Sequence, residues 1–529
     1  MKKRYLTFLA ILFATVIFVI GCSNSPSSSN ENASEKTSEK TSENGTKVSA
    51  EKNALIIAQS ADLTTMDPQN SLSTNGDRVF RNMFSRLFYR DNDMEIKPEL
   101  VDTYENIDEE TWQFKLFEGV KFHNGDSLTA EDVKFSLERV MTDESLKEYP
   151  YFTQLKEVNV IDELTVEIKT DGPMPTLLRL LAKSGADVVP KNYFEKVGLE
   201  EFQKNPVGSG PYKYVEWKRD DKVVLEAFDG YFGDAPKWKE VIVRAIPESS
   251  TRVGELLTGG VDIATDIPPN EWDRVKGENG TSLINGDTTR VMLLMLRHTD
   301  GYVTADPRVR EAIDLAINEK AIVDSVLKGT AVPVRSRVPK GVLGSNPDLY
   351  DAYVYDVEKA KSLLAEAGYA DGLELTFTAP KGRYPLDGEV AQLIAGMLGE
   401  VGIKVNLELL ESSAFLDKYN SKSNKELIMI ALADGLLDAS YSLVHYTKDR
   451  AAGQTDYFNE EVENLFNAAG RNLNEEERIQ QYQKIQEIVA EERPHIFLFQ
   501  QGANYGVNDN VNFAPRLDEV INFSDITLK

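Results

Sequence analysis

A chain of 529 residues is too long for one hydrophobic core of ordinary size, so two or three domains are expected. Its 41% apolar and 27% charged residues are those of a globular body in water. The formal net charge of −27, from 59 basic and 86 acidic side chains, argues against nucleic acid and against electrostatic adhesion to anionic lipid, both of which need basic surface.

The chain opens with Lys2-Lys3-Arg4, an apolar run from Tyr5 to Ile20, and then Gly21-Cys22. A positive n-region, an apolar h-region and a small residue at the cleavage point make a secretory signal. The run of about 16 residues falls short of the roughly 20 that a hydrocarbon core requires of a spanning helix. Val19-Ile20-Gly21-Cys22 resembles the lipobox of bacterial lipoproteins. The resemblance implies removal of residues 1–21, diacylglycerol on the Cys22 thiol, and a mature chain lipid-anchored on the outer face of the cell membrane of a Gram-positive-type bacterium. The alternative is an uncleaved anchor helix. Cys22 is the single cysteine, so an intramolecular disulfide and a cysteine metal cluster are excluded.

Residues 22–50 are dominated by Ser, Asn, Glu, Lys and Thr, with Ser-Glu-Lys-Thr repeated at 34–37 and 38–41. Such a segment cannot bury enough apolar area to offset its ordering entropy, and a disordered tether reaching about 30 Å is expected.

Beyond it, strands and helices alternate. Residues 53–59 and 111–117 alternate as strands do. Thr129 caps a helix whose first turn holds Glu131 and Asp132, with Val133, Leu137 and Val140 at helical spacing. Asp306-Pro307 offers an N-cap with proline at the first position; the apolar stripe then runs from Val309 through Val323 and Leu327 to a stop at Gly329. Asp356 caps a second such helix, closed by Gly368. Strands at 373–378 and 404–409 flank a helix at 389–400, a β-α-β order that implies a sheet covered by helices. The strand 494–499 is expected to carry the chain back between domains.

Catalytic constellations are missing. There is no Gly-x-Ser-x-Gly elbow, His-Glu-x-x-His, phosphate loop or Gly-x-Gly-x-x-Gly, and no enzyme activity or cofactor is expected. Gly208-Ser-Gly-Pro-Tyr212 is Gly-rich, but proline follows at once, so it reads as a turn. His123, His298, His445 and His495 are scattered without ligand spacing. With 86 carboxylates, any acid/base pair is easy to imagine and carries little weight.

Several blocks match a known family. Glu110 to Asp126 (ETWQFKLFEGVKFHNGD) and Leu128 to Arg139 (LTAEDVKFSLER) resemble the signature of the family 5 extracellular solute-binding proteins, the peptide and nickel receptors of ABC importers. Asn205–Tyr212, Asp306–Ile313 and Ala360–Gly368 match in order. The resemblance implies an α/β, two-lobed periplasmic-binding-protein-like fold (cluster C, type II) with an extra small subdomain in lobe I. By that analogy lobe I takes 51–289 and 501–529, its subdomain about 96–212, and lobe II 290–500. The implied partners are a short peptide and the permease and ATPase subunits of an importer, with the chain itself a monomer.

The same resemblance points to the ligand residues. Arg383, in Lys381-Gly-Arg-Tyr-Pro-Leu-Asp387, matches the arginine that meets the ligand carboxylate in dipeptide receptors. A guanidinium fork suits that task, and Tyr384 beside it could wall the pocket; the plain alternative is a surface arginine paired with Asp387. Asp434, at the end of the apolar strand beginning at Leu427, matches the aspartate that holds the ligand's α-ammonium. Open α/β sheets place ligand crevices at such strand ends. This chain has Ala431 where relatives usually carry tryptophan, and four rather than three steps from Asp434 to Asp438. Asp438 and His445 are further candidates to line the cleft, against a plain reading as cap and packing residues. One fixed cation and one fixed anion would select a zwitterion of matching length, two or three residues, because a stranded buried charge is costly. A nickel chelate, a sugar oligomer or glutathione on the same fold, or a sensor uncoupled from transport, are the alternatives.

Overall fold

The computed structural model describes residues 53–529, and the signal, Cys22 and tether expectations lie outside the described residues. Its centre is an 11-stranded mixed sheet. Two long strands, Thr281–Leu296 and His495–Asn508, lie antiparallel in the middle and extend into both halves of the molecule. On one side follow Leu427–Leu432, Leu373–Lys381 and Ile403–Glu411; on the other follow Ile263–Ala264, Ala54–Gln59, Glu240–Ala245, Lys222–Ala227 and Tyr212–Lys218.

The ladder between the long strands opens where the halves meet, and a smaller register shift follows between Met292 and Leu293. Residues 281–287 pair with 502–508, and Val291 onward pairs with 495–500, with a register shift between Asp287 and Val291. The expected lobe boundary after residue 289 sits in that interval. Thr288 and Gln500 bridge the gap: Thr288 Oγ1 donates to the Gln501 carbonyl, and Gln500 Nε2 donates to the Thr288 carbonyl, each at 2.7 Å.

Each half has its own core. Val309, Ile313 and Ile322 pack with Phe377, Ile394 and Leu498 in one, and Leu55, Phe80, Val241 and Tyr505 pack in the other. A third cluster, built on Phe88, Phe114, Val133 and Ile168, belongs to a separate four-stranded antiparallel sheet formed by Val101–Asn106, Thr111–Leu116, Thr165–Thr170 and Leu155–Asp162. Across it lies the helix Ala130–Thr142, whose start carries a reciprocal cap between Thr129 and Asp132.

The strands at 373–381 and 403–411 are parallel and joined by the helix Asp387–Glu400. One expectation needs correction: the stripe from Val309 to Leu327 is two helices, Pro307–Ala316 and Glu319–Ser325. Ile317 leaves helical geometry with ψ of 128°, and Asn318 recaps the chain by accepting from the Ala321 amide at 2.8 Å. A capping side chain competes with helix continuation, and apolar spacing alone does not register it.

The Gly208–Tyr212 turn packs tightly. A Cβ at Gly208 would stand 2.1 Å from the Met83 carbonyl oxygen, and His123 ties the turn down by accepting from the Gly208 amide and meeting the Gly210 carbonyl. Gly208→Ala is therefore expected to cost about 1–3 kcal/mol or more, since backbone has to move to admit the methyl. Urea unfolding with an unchanged midpoint would contradict this.

Candidate functional site

Where the halves meet, a cavity of about 180 Å³ opens beside the ladder interruption. Thr289 and Arg290, from the interrupted stretch, line it together with residues of both halves and of the small subdomain, among them Arg90, Tyr151, Asp434 and Tyr441. The wall is heavily charged. The phenol of Tyr441 donates to that of Tyr151 at 2.9 Å with the rings stacked at 5.2 Å, a contact that joins the lobe II loop to the subdomain.

Asp434 follows the strand Leu427–Leu432, all buried save its last residue. The side chain is 2% exposed. Its Oδ2 accepts from the Ser442 hydroxyl at 2.6 Å, and Oδ1 accepts from the amides of Leu436 and Asp438 at 3.1 and 3.4 Å. Its own amide donates to Thr289 Oγ1 at 3.0 Å, which ties the strand end to the interruption in the central ladder. No basic group pairs with it among the described residues. Burial pushes its pKa up to about 6, against the pull of the Ser442 hydrogen bond and the nearby Arg337.

The other predicted residues are placed elsewhere. Asp438 is fully buried, but its carboxylate caps the helix Ala439–Leu443 through the Ser440 amide and pairs with Arg478 at 2.8 Å. It is a structural acid, and it does not line the cavity. His445 lies near Arg337 and Arg450, with its pKa held well down by burial and then by those cations; it too is outside the cavity wall.

Arg383 is exposed and outside that wall. Its Nε donates to the Tyr384 hydroxyl at 3.1 Å, and Tyr384 in turn donates to the carbonyl of Ala431 at 3.0 Å. Tyr384 is thus a buried strut under the loop. Asp387 is not a salt-bridge partner for Arg383. Its two oxygens gather the amides of Gly382, Arg383 and Tyr384, at 2.8–2.9 Å, and so fold the loop. The structure therefore brings Asp434 to the cavity and leaves Arg383, Tyr384, Asp438 and His445 out of its lining.

Sequence reasoning missed most of the wall. Arg86 and Arg90 stand four apart in an otherwise apolar run, Leu87-Phe88-Tyr89, and two arginines in a core-forming segment were the available signal. Lys183, Glu148 and the Arg516–Glu519 segment come together only through the tertiary fold. Among the described residues no group of three or more His, Cys, Asp or Glu is arranged to hold a metal ion, and no helix is long and apolar enough to cross a membrane.

Two α/β halves joined by a pair of continuous strands, with a charged cavity between them, define a two-lobed ligand receptor of the periplasmic-binding-protein type. Residues 95–454 match the bacterial extracellular solute-binding proteins, family 5, and the chain belongs to that family. It is the substrate-binding component of an ABC importer and not an enzyme. The glutathione-binding protein GsiB of Salmonella paratyphi A is 27% identical over 492 residues, spanning 90% of this chain and 94% of its own. The structure of DppA from Helicobacter pylori in complex with the peptide STSA is 26% identical, with a TM-score of 0.78 over 90% of this chain and 98% of that one. NikZ from Campylobacter jejuni in complex with Ni(L-His), 24% identical, shares the fold with a TM-score of 0.76 over 89% of this chain and 97% of its own.

Because its pKa is raised on folding, Asp434 destabilises the native state once it is ionised. Its contribution is fully favourable below pH 3.8, the unfolded value, and is lost as pH rises through about 6. Asp434→Asn should therefore gain about 2–3 kcal/mol of stability at pH 7.5 and little at pH 4. Paired urea titrations at the two pH values check the sign; equal effects at both would rule out a buried, uncompensated charge.

Proposed function

We propose that the imported ligand is a short peptide of two or three residues, captured as the lobes close on their connecting strands and presented to the permease from a lipid anchor at Cys22. The observation that carries this reading is Asp434: a buried carboxylate without a cationic partner, facing a cavity between the lobes. An α-ammonium supplies the missing charge, and ligand bridging of the two halves shifts the population toward the closed form. The relatives support a peptide as the ligand class, since GsiB is named for glutathione, itself a tripeptide in chemistry, and DppA holds the four-residue peptide STSA. Glutathione is the second reading, favoured by the GsiB likeness.

The carboxylate partner that the family resemblance offers is Arg383. In its present place it would serve a ligand long enough to leave the cavity, and longer cargo is the outcome that would favour it.

Thermal shift of the body from Asn53 onward, against peptides of one to eight residues, reads the length directly, because ligand binding to the native state raises the melting temperature by mass action. The largest shifts are expected at two and three residues; a maximum at five or more would overturn the short-peptide reading. Asp434→Ala should weaken dipeptide binding by about 2–5 kcal/mol. In the wild type, affinity for the ammonium should fall as pH drops below about 6, where Asp434 takes up its proton. Affinity flat from pH 7.5 to 5 would remove Asp434 from the site.

A further inference from the structure

Six cations line the cavity, and five are neutralised by acids of this chain. Arg81 pairs with Glu99, Arg86 with Asp187, Lys183 with Glu148, Arg290 with Glu519 and Arg516 with Asp518. Arg90 is the sixth. It ends the short strand Phe88–Arg90, is 9% exposed, and has no salt-bridge partner among the described residues. Its guanidinium makes one hydrogen bond, from Nη2 to the Gly435 carbonyl at 3.0 Å, and its buried Nε has no acceptor.

Asp518 and, more weakly, Asp434 act on Arg90 electrostatically without a salt bridge, and both oxygens of Asp518 are held by Arg516, at 3.0 and 2.8 Å. Arg86 and Arg179 add further positive charge nearby, and burial pushes the pKa of Arg90 down to about 10. A guanidinium kept buried beside other cations, with donors left over, is a site prepared for an anion.

Its position gives the anion a place in the ligand. Gly435 follows Asp434 directly, so Arg90 reaches from the lobe I side of the cavity to the residue next to the uncompensated carboxylate. Asp77, whose carboxylate accepts from the Ser184 hydroxyl at 2.6 Å, also lines the cavity without a salt bridge; of the groups lacking ion-pair partners there, Arg90 is the cation and Asp434 the acid adjoining its Gly435 contact. We infer that Arg90 is the anchor for the ligand's carboxylate, opposite the ammonium held by Asp434. The inference rests on the short-peptide reading and deepens it: with both anchors in one cavity wall, the charges of the ligand must lie close together, as in a dipeptide. Recognition by Arg90 makes the free C-terminal carboxylate a requirement.

The test is calorimetric titration of Ala-Ala, Ala-Ala-Ala and glutathione, and of the C-terminal amides of the two alanine peptides, into wild type, Arg90→Gln, Arg90→Lys and Arg383→Gln. Wild type should prefer each acid over its amide by at least tenfold. Arg90→Gln should bind acid and amide alike, Arg90→Lys should keep part of the preference, and Arg383→Gln should keep all of it. Urea unfolding of each variant establishes that it is folded. An acid-over-amide preference that survives in folded Arg90→Gln overturns the assignment, because a guanidinium that merely latches the lobes through Gly435 would weaken both ligands equally. Loss of the preference in Arg383→Gln overturns it in favour of that residue. A wild type that binds none of the five probes overturns the short-peptide reading itself, and the anchor with it.

Discussion

Two strands run through both halves of this molecule, and the ladder between them opens at residues 288–290, with a one-residue bulge just beyond, between Met292 and Leu293. Everything in the site is referred to that gap. Residues outside a ladder can change their backbone angles without breaking it, which is what a hinge between rigid bodies requires. The same residues are not idle at the cavity. Thr289 accepts from the amide of Asp434, and Arg290 pairs with Glu519 of the C-terminal segment at 3.1 Å. The interruption in the ladder and the cavity wall therefore share residues.

The charges of the wall divide by the same logic. Ionised groups taken out of water must be paired or they are costly, and five of the six cations are paired within the chain. Such pairs contribute shape and a fixed polar surface, with no charge left for a guest. Asp77, beside Ser184, is left without an ion-pair partner, and so are Arg90 and Asp434, which are opposite in sign. A zwitterion satisfies both, while an amine without a carboxylate, or the reverse, satisfies one. Selectivity of this kind needs no contact with the side chains of a ligand, which is compatible with a receptor that accepts many sequences.

Much of the frame was legible in the sequence because it rests on local signals. The Thr129–Asp132 cap, the Asp306-Pro307 start and the parallel strands at 373 and 403 follow from residue type and spacing. The break at Ile317 was not legible, since one asparagine outweighed a continuous apolar stripe. For the site, the end of an apolar strand located Asp434, but no local rule separates a guanidinium that faces a cavity from one that lies over a tyrosine at the surface. Arg90 and Arg383 differ in tertiary surroundings. One is buried behind a strand of the small subdomain's core, and the other is carried on a loop folded by Asp387.

Asp434 and Asp438 make the same point within one loop. Both are acids, both are buried, and four residues separate them. Asp438 meets Arg478 and the amide and hydroxyl of Ser440 at a helix start, so its charge is spent on holding the chain. Asp434 meets Ser442, whose hydroxyl donates to it while accepting from Arg337 at 2.9 Å. That relay brings a buried guanidinium's influence to the carboxylate without letting it form an ion pair. The attraction of Arg337 favours the charged form, burial opposes it more strongly, and the balance leaves the group near pH 6. An acid fully neutralised by arginine would have little to offer an ammonium. The intervening serine keeps Arg337 from neutralising Asp434, which is left without an ion-pair partner.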